Sequence, residues 1–263
     1  MSETMTPTRA GDVNYVSVVL VGLAAGALSG LFGVGGGLII VPGLVGIVGI
    51  ERRLAHGTSL AATLPIALAS VTTYIVNGNV DWAMAGLLAI GTIGGAIIGT
   101  HLLQVVSKRA LTLAFVVVVL ATALRLALST ETTGRVDITI TSAIFIVLIG
   151  LATGTLAGML GIGGGIIMVP AMVVFYDMIP VVAKGTSVAV IVPTSITGTI
   201  RNRRNDNVDL RIAIVVGLTG VVSAVFGSIL ADGMSARLSN ILFALLLVFV
   251  AITQLLTLRS DDH

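Results

Sequence analysis

The sequence predicts an all-α membrane protein that crosses the bilayer many times and consists of two related halves. Of the 263 residues, 56% are hydrophobic and only 10% are charged, and the mean hydropathy is +1.11. A soluble domain carries about 25% charged residues. Apolar runs of roughly 18 residues or more recur along the chain, which is the length that crosses a bilayer as a helix. A glycine-rich segment also occurs twice.

The duplication extends over most of the chain. A shift of 128 positions aligns residues 22–109 with residues 150–237 without a gap. The shift places "GLFGVGGGLIIVP", which begins at Gly30, on "GMLGIGGGIIMVP", which begins at Gly158. It also places "HGTS" on "KGTS" and "NGNVD" on "NDNVD". The predicted organisation is an N-terminal tail (1–12), a first membrane repeat (13–128), a linker (129–137), a second membrane repeat (138–258) and a C-terminal tail (259–263).

The first apolar stretch of each copy is too long for one straight span. Residues 13–50 would form a helix of about 57 Å at 1.5 Å per residue, whereas the hydrocarbon core is about 30 Å thick. The chain is therefore expected to turn back at Gly33–Gly37, which gives five segments per copy. The predicted segments are 13–32, 37–50, 55–76, 82–105 and 110–128 in the first copy, and 138–160, 165–177, 184–202, 208–231 and 236–258 in the second.

Charge asymmetry favours two copies that are inverted in the membrane. An odd number of segments per copy inverts the second copy relative to the first. Ten segments place ten of the 14 Lys and Arg residues on one side, whereas an eight-segment alternative divides them eight to six. Because basic residues concentrate on the cytoplasmic side, we expect a multi-pass protein of the cytoplasmic membrane with both termini in the cytoplasm.

The two glycine-rich turns predict a site for a small anion at the bilayer midplane. Non-helical backbone persists in a membrane only where it is buried in protein or lines a cavity. A turn leaves free N–H groups where the next helix starts, and the helix dipole adds positive charge there. Close helix packing is the alternative, and it is the expectation for scattered glycines such as Gly91, Gly94, Gly95 and Gly99. The predicted glycine contacts to the anion are Gly33, Gly35, Gly36, Gly37, Gly161, Gly163, Gly164 and Gly165.

Hydroxyl groups follow each glycine turn and are candidate donors to the anion. Thr58 and Ser59 belong to "HGTS", and Thr186 and Ser187 belong to "KGTS". The alternative is that they cap helices that begin there. The paired "NxNVD" segments are typical of capped turns before a helix. Prolines in mid-segment are expected to break the helix, and the predicted breaks are Pro65 and Pro193.

Three basic side chains are candidates for attraction of the anion or for proton coupling: His56, Lys184 and His101. His56 and Lys184 occupy equivalent positions in the two copies, at the start of "HGTS" and "KGTS". Histidine exchanges protons near neutral pH. For Lys184 the alternative is a snorkelling anchor at a segment end.

The composition argues against several other functions. No Asp or Glu lies in the interior of a predicted segment, although cation antiporters and proton pumps depend on such carboxylates. The chain has no cysteine and no Ser–His or HExxH arrangement, so no enzyme, metal site or cofactor is predicted. No basic run indicates nucleic acid. The expected partners are a small anionic substrate and the lipid bilayer, and a homo-oligomer is compatible with the sequence.

The duplicated motifs resemble those of the TauE/SafE family of membrane transporters, called sulfite or sulfonate exporters. The resemblance rests on the two glycine-rich motifs, each followed by "HGTS" or "KGTS" and then by a proline. It implies export of a small sulfur-containing oxyanion, such as sulfite or sulfoacetate. The expected function is secondary transport by alternating access at a midplane site. The alternatives are a passive anion channel and a non-transporting membrane assembly or interaction protein.

Overall fold

The computed structural model describes residues 14–102, 108–128, 139–160 and 164–261, and within these ranges the chain is helical without a β-strand. The predicted all-α class is therefore confirmed. The helices are α1 (Tyr15–Phe32), α2 (Gly37–Gly46), α3 (Arg52–Val76), α4 (Trp82–Leu102), α5 (Lys108–Leu128), α6 (Ile140–Leu160), α7 (Gly165–Tyr176), α8 (Pro180–Arg204), α9 (Leu210–Asp232) and α10 (Ala236–Asp261).

The lengths and surfaces of the helices are those of a multi-pass membrane protein. Five helices, α1, α3, α8, α9 and α10, are long and apolar enough to cross a membrane. The helices α2 and α7, and the described parts of α4 and α6, are shorter apolar helices. Large apolar side chains point outward along the helices; Leu20, Ile90, Leu218 and Phe226 are 61–71% exposed. Such a surface requires a partner of the same polarity, which the hydrocarbon core supplies.

Several helix ends differ from the predicted bounds. α3 begins at Arg52 and α8 at Pro180, three and four residues before the predicted starts. Pro180 suits the first turn of a helix, because its fixed φ is already helical and its missing N–H needs no partner there. α2 ends at Gly46 and is followed by Gly49 at a φ of 80°. α10 continues to Asp261, so that part of the predicted tail is helical.

The prediction that Pro65 and Pro193 break their helices is wrong. Both lie inside continuous helices, α3 and α8. A proline removes one backbone hydrogen bond, but each helix continues on both sides of it. α9 presents Gly217 to the ring of Pro65, where an added Cβ would lie 2.7 Å from Cγ. The Thr197 hydroxyl donates to the carbonyl oxygen of Pro193 at 3.0 Å.

Helix packing follows the duplication. α1 packs on α9, and α6, the equivalent of α1, packs on α4, the equivalent of α9. The pair α3–α9 has its counterpart in α8–α4, and the pair α2–α3 in α7–α8. α3 also contacts α8, and α5 contacts α10. Each half thus packs largely against the other half, and the two copies are interleaved.

Glycines allow the closest of these helix contacts. Gly22, Gly26 and Gly30 lie one turn apart on α1, and each faces backbone atoms of α9 that a Cβ would overlap. Gly91 and Gly95 of α4 face the backbone of α6 in the same way. These spacings match the small-residue interfaces of membrane helices. The expectation of close helix packing is confirmed for Gly91 and Gly95. It is not confirmed for Gly94, where an added Cβ would make only an ordinary contact, 3.6 Å from the Leu151 side chain. The surroundings of Gly99 lie outside the described part of the chain.

Candidate functional site

The first glycine motif interrupts the chain where the sequence predicts a turn. α1 ends at Phe32 and α2 begins at Gly37. Between them Gly33, Gly35 and Gly36 have φ angles of 70°, 80° and 72°, a left-handed region that favours glycine. The N–H of Gly33 donates to the Ser29 carbonyl oxygen at 2.8 Å and so caps α1.

The second glycine motif also separates two helices, but it is not a copy of the first in its backbone angles. α6 ends at Leu160 and α7 begins at Gly165. The cap of α7, Gly164, has a φ of −68° and lies in the right-handed helical region, whereas its equivalent Gly36 is left-handed. The other two predicted contacts in this motif, Gly161 and Gly163, lie outside the described residues.

The two motifs meet in the interior of the fold. A Cβ on Gly165 would overlap the carbonyl oxygen of Gly33 and lie 2.5 Å from Cα of Val34. A Cβ on Gly33 would lie 2.8 Å from Cα of Lys184. The hydroxyl of Ser187 donates to the Gly33 carbonyl oxygen at 2.9 Å. We call these five buried residues, Gly33, Val34, Gly165, Lys184 and Ser187, the central cluster.

Two helix starts lie at this cluster without side-chain caps. Neither Gly36 before α2 nor Gly164 before α7 provides a side-chain hydrogen bond to its helix. The carbonyl oxygen of Gly36 accepts from the N–H groups of Ile39 and Ile40 at 3.0 Å. Both starts are buried, and the dipole of each helix directs its positive end into the interior.

Lys184 is the charged member of the cluster. Its side chain is 1% exposed, and its Nζ has no hydrogen-bond partner among the described residues. The ammonium lies 5.5 Å from the centroid of the Phe32 ring, within the range of a cation–π contact. The snorkelling anchor is therefore wrong for Lys184, because its head group lies inside the protein. Its equivalent His56 is half-buried, and the side chain of His101 lies outside the described part.

Thr58 and Thr186 are not helix caps, because α3 and α8 begin six residues before them. The Thr58 hydroxyl accepts a hydrogen bond from the N–H of Asp209 at 2.9 Å. The Thr186 hydroxyl accepts from the N–H of Asp81, also at 2.9 Å. Both threonines are fully buried. Each therefore joins its own copy to the start of a helix in the other copy.

Glycines beside these threonines complete the two contacts. A Cβ on Gly57 would overlap the carbonyl oxygen of Asn207, and one on Gly185 would overlap that of Asn79. The first junction comprises Gly57, Thr58, Asn207 and Asp209, and the second comprises Gly185, Thr186, Asn79 and Asp81. The two junctions are related by the same 128-residue shift.

The "NxNVD" segments are capped turns, as expected. Oδ1 of Asp209 accepts from the N–H groups of Arg211 and Ile212 at 2.9 and 3.1 Å, and Oδ1 of Asp81 accepts from Met84 at 3.0 Å. Their contact with "HGTS" and "KGTS" was not predicted. The sequence did offer a signal for this contact, because both motifs are duplicated and neither had an assigned partner in the fold.

The second junction carries an additional contact. The carboxylate of Asp232, at the end of α9, accepts hydrogen bonds from the side-chain amides of Asn77 and Asn79, the former at 3.0 Å. The residue equivalent to Asp232 in the first copy is Gln104, which lies outside the described residues. A cavity of about 220 Å³ beside the second junction is lined by Ile75, Gly78, Val80, Asp81 and Trp82.

A second cavity, of about 560 Å³, lies between α6 and α7 and is lined by Thr139, Thr141, Ser142, Phe145, Ile149, Phe175 and Tyr176. No described residue of the glycine motifs lines either cavity. Gly33–Gly37, Gly164 and Gly165 are buried. In this conformation the described glycine turns are packed within the protein.

Comparison with known proteins gives the family. The sequence profile described as "Sulfite exporter TauE/SafE" matches the chain over residues 18–178 and 146–263. The chain belongs to the TauE/SafE family. The resemblance of the motifs is thereby confirmed.

Relatives of this TauE/SafE protein are named probable membrane transporter proteins. This chain is 27% identical over 252 residues to YunE of Bacillus subtilis, and the alignment covers 87% of this chain and 91% of YunE. A relative from Xylella fastidiosa (strain Temecula1) is 29% identical over 240 residues, with 89% and 90% covered. One from Methanocaldococcus jannaschii is 32% identical over 190 residues, with 70% of each chain covered. The protein is a membrane transporter of the TauE/SafE family.

Proposed function

We propose that this TauE/SafE protein exports a small sulfur-containing oxyanion, such as sulfite or an organosulfonate, across the cytoplasmic membrane. The observation that carries the proposal is the meeting of the two glycine motifs at Gly33, Val34 and Gly165. The choice of sulfite among small anions is supported by the description of the family. Both chain termini are proposed to be cytoplasmic.

The proposed anion site lies where α2 and α7 begin. The absence of a side chain at Gly33, Gly35–Gly37, Gly164 and Gly165 lets an anion approach the backbone, and the two helix dipoles favour negative charge there. Gly161, Gly163 and Ser59 are proposed to complete the site, together with Ser187 when its one O–H is released from the Gly33 carbonyl oxygen. Of the four predicted hydroxyl ligands, Thr58 and Thr186 are better explained as parts of the two junctions.

We propose ten membrane segments in two inverted copies, over residues 13–128 and 138–258. The proposal is supported by the contact of α3 with its equivalent α8. Gly57, near the start of α3, lies against Asn202, near the end of α8, and Gly185, near the start of α8, lies against Tyr74, near the end of α3. Two equivalent helices that run in opposite directions are what inverted copies require. The same contact brings Arg52 and Arg53 to the end of the protein that carries Arg201, Arg203 and Arg204.

The two junctions are proposed to be the contacts that open in turn during alternating access. The first junction lies at the arginine-rich end and the second at the opposite end, because α3 and α8 run in opposite directions. In alternating access the substrate site opens to one side of the membrane at a time, so a closed contact is needed on the other side. The burial of the glycine turns suits a state in which both contacts are closed.

Uptake into proteoliposomes tests the proposal. Purified protein is reconstituted, and flux of radiolabelled sulfite, sulfoacetate, taurine, thiosulfate and sulfate is measured with and without unlabelled anion on the other side. We expect saturable flux of sulfite or a sulfonate, accelerated by the unlabelled anion. A passive channel would give flux without this acceleration, and a non-transporting protein would give none; either result would overturn the proposal.

A further inference from the structure

We infer that the ammonium of Lys184 is the charge partner of the transported anion and that the site takes a monovalent oxyanion. This inference rests on the proposed function. It assigns a single ionic ligand, on one side of the pseudo-symmetric site, where the glycine turns alone provide only backbone N–H groups.

Lys184 has lost its solvent without gaining a hydrogen-bond partner or a counter-charge among the described residues. The side chain is 1% exposed, and Nζ has no hydrogen bond among the described residues. The other charged side chain that the described residues bury is Asp81, and its carboxylate accepts from the N–H of Met84. A buried charge without a partner is strongly unfavourable. An anion bound beside Nζ would remove that cost.

Lys184 lies beside the first glycine turn. Its backbone lies against Gly33, and its ammonium lies 5.5 Å from the centroid of the Phe32 ring. Phe32 is the last residue of α1, so the charge is close to the first glycine turn. The backbone of Gly33 also contacts Gly165, the first residue of α7.

A third observation adds a hydrogen-bond donor. Ser29 lies three residues before Phe32 and therefore on the same side of α1. Its hydroxyl is fully buried and has no partner among the described residues. Buried polar side chains are normally hydrogen-bonded. Ser29 Oγ of α1 and Lys184 Nζ of α8 are thus two buried donors without a hydrogen-bond partner among the described residues, and Phe32 relates both to the end of α1. An oxyanion has several acceptor oxygens for such donors.

These features occur in one copy only. The 128-residue shift relates Lys184 to His56, Phe32 to Leu160 and Ser29 to Ala157. The anion therefore binds off the pseudo-twofold axis, on the side of Lys184. A single ammonium neutralises one negative charge, and a second charge on the ligand would stay unpaired in the interior. Bisulfite and sulfonates with one negative charge, such as methanesulfonate, match this site, whereas sulfate and sulfoacetate, with two charges, do not.

Thermal unfolding of the purified protein in detergent, with methanesulfonate as the probe, tests the inference. The full chain is compared with K184M and with R53M, which removes an exposed arginine. We expect K184M to unfold at a higher temperature than the wild type without anion, because it removes a buried unpaired charge. We also expect K184M to bind methanesulfonate about tenfold or more weakly, since it loses a charge-assisted hydrogen bond. R53M should match the wild type in both measurements.

The outcomes separate this inference from the proposed function. Wild-type stabilisation by methanesulfonate that K184M retains would overturn the role of Lys184 and leave the anion site in place. Absence of stabilisation of the wild type by methanesulfonate, bisulfite and sulfate alike would overturn the anion site itself. If K184M is not recovered in folded form, K184Q, which keeps a polar side chain, makes the same comparison. The wild type alone tests the charge class: equal affinity for methanesulfonate and sulfate would contradict a monovalent site.

Discussion

The hydroxyl of Thr58 and the backbone N–H of Asp209 are joined by a part-buried hydrogen bond of 2.9 Å, although 151 positions separate them in the chain. The equivalent pair, Thr186 and Asp81, is joined by a bond of the same length. The two bonds connect each copy to the other at opposite ends of α3 and α8.

Replacement of Thr58 or Thr186 by valine should weaken the contact between the copies at one end only. Valine keeps the shape and removes the acceptor, so that the N–H of Asp209 or Asp81 loses its partner, at a cost of about 1–3 kcal/mol. Denaturation in detergent measures the loss. Thr72→Val is the matched control, because Thr72 is exposed and, among the described residues, its hydroxyl bonds only to Leu68 of its own helix. A cost no larger than that of Thr72→Val would contradict the role of the junctions.

Asp232→Asn should loosen the second junction selectively. The carboxylate accepts from both Asn77 and Asn79, and an amide side chain has only one acceptor oxygen for them. Because the chain has no cysteine, a single cysteine at Val80, which is 5% exposed, reports on opening through its rate of labelling by a maleimide.

We expect Asp232→Asn to raise the labelling rate of this cysteine several-fold, because the free energy that keeps the junction closed falls by about 1 kcal/mol when a hydrogen bond is lost. The matched control is Asp206→Asn, an exposed acid in the equivalent turn of the other copy. Equal labelling rates in the Asp232→Asn and control backgrounds would show that the amide–carboxylate contact does not hold this end closed.

Alanine at Gly36 and at Gly164 should have unequal effects. Gly36 is left-handed at a φ of 72°, whereas Gly164 lies at −68°. A side chain in the left-handed region costs roughly 1–2 kcal/mol, and in the proposed site it would also displace the anion. We expect Gly36→Ala to lower the unfolding temperature and anion flux more than Gly164→Ala does. Unfolding and flux assays of the two variants, side by side, make the comparison, and the reverse order would be inconsistent with the first turn as described.

Two helix glycines should respond to alanine with opposite signs. A Cβ on Gly26 would overlap the backbone of Gly220 in α9, whereas one on Gly86 meets no atom within 4 Å. Gly26→Ala should destabilise the protein by about 1–3 kcal/mol through overpacking. Gly86→Ala should stabilise it by up to about 1 kcal/mol through helix propensity. Equilibrium unfolding in detergent distinguishes the two, and a tolerated Gly26→Ala would mean that α1 and α9 separate easily.

The sequence predicts the helices well where apolar length determines them. α1 ends at Phe32 and α4 begins at Trp82, both as predicted. A bilayer-spanning apolar run and its flanking turn are local signals, so the sequence carries them. The interruption at Gly33–Gly36 is also predicted, since few other sequences admit three left-handed residues so close together. The extra turn at the start of α8 and the continuity of the helix at Pro193 were missed, because packing of neighbouring helices overrides a local breaking signal.

The site is less predictable than the helices. Gly33 and Gly165 are both recognisable from the motif, but their mutual contact depends on how α1, α7 and α8 pack. Thr58 and Thr186 have hydroxyl side chains, which suit an anion ligand or a helix cap equally well. Only the folded chain pairs them with Asp209 and Asp81. Lys184 was indistinguishable from a surface anchor until its burial was known, because one lysine at a helix start carries no information on depth.

The reciprocal junctions have a consequence for the origin and engineering of the protein. A fragment that ends before the linker would contain Thr58 without Asp209 and α1 without α9. On the proposed inverted arrangement, it could complete these contacts only with another fragment inserted in the opposite orientation. A single-gene ancestor would therefore have needed dual insertion and antiparallel dimerisation, and separately expressed halves of the present chain should assemble only when both are supplied together.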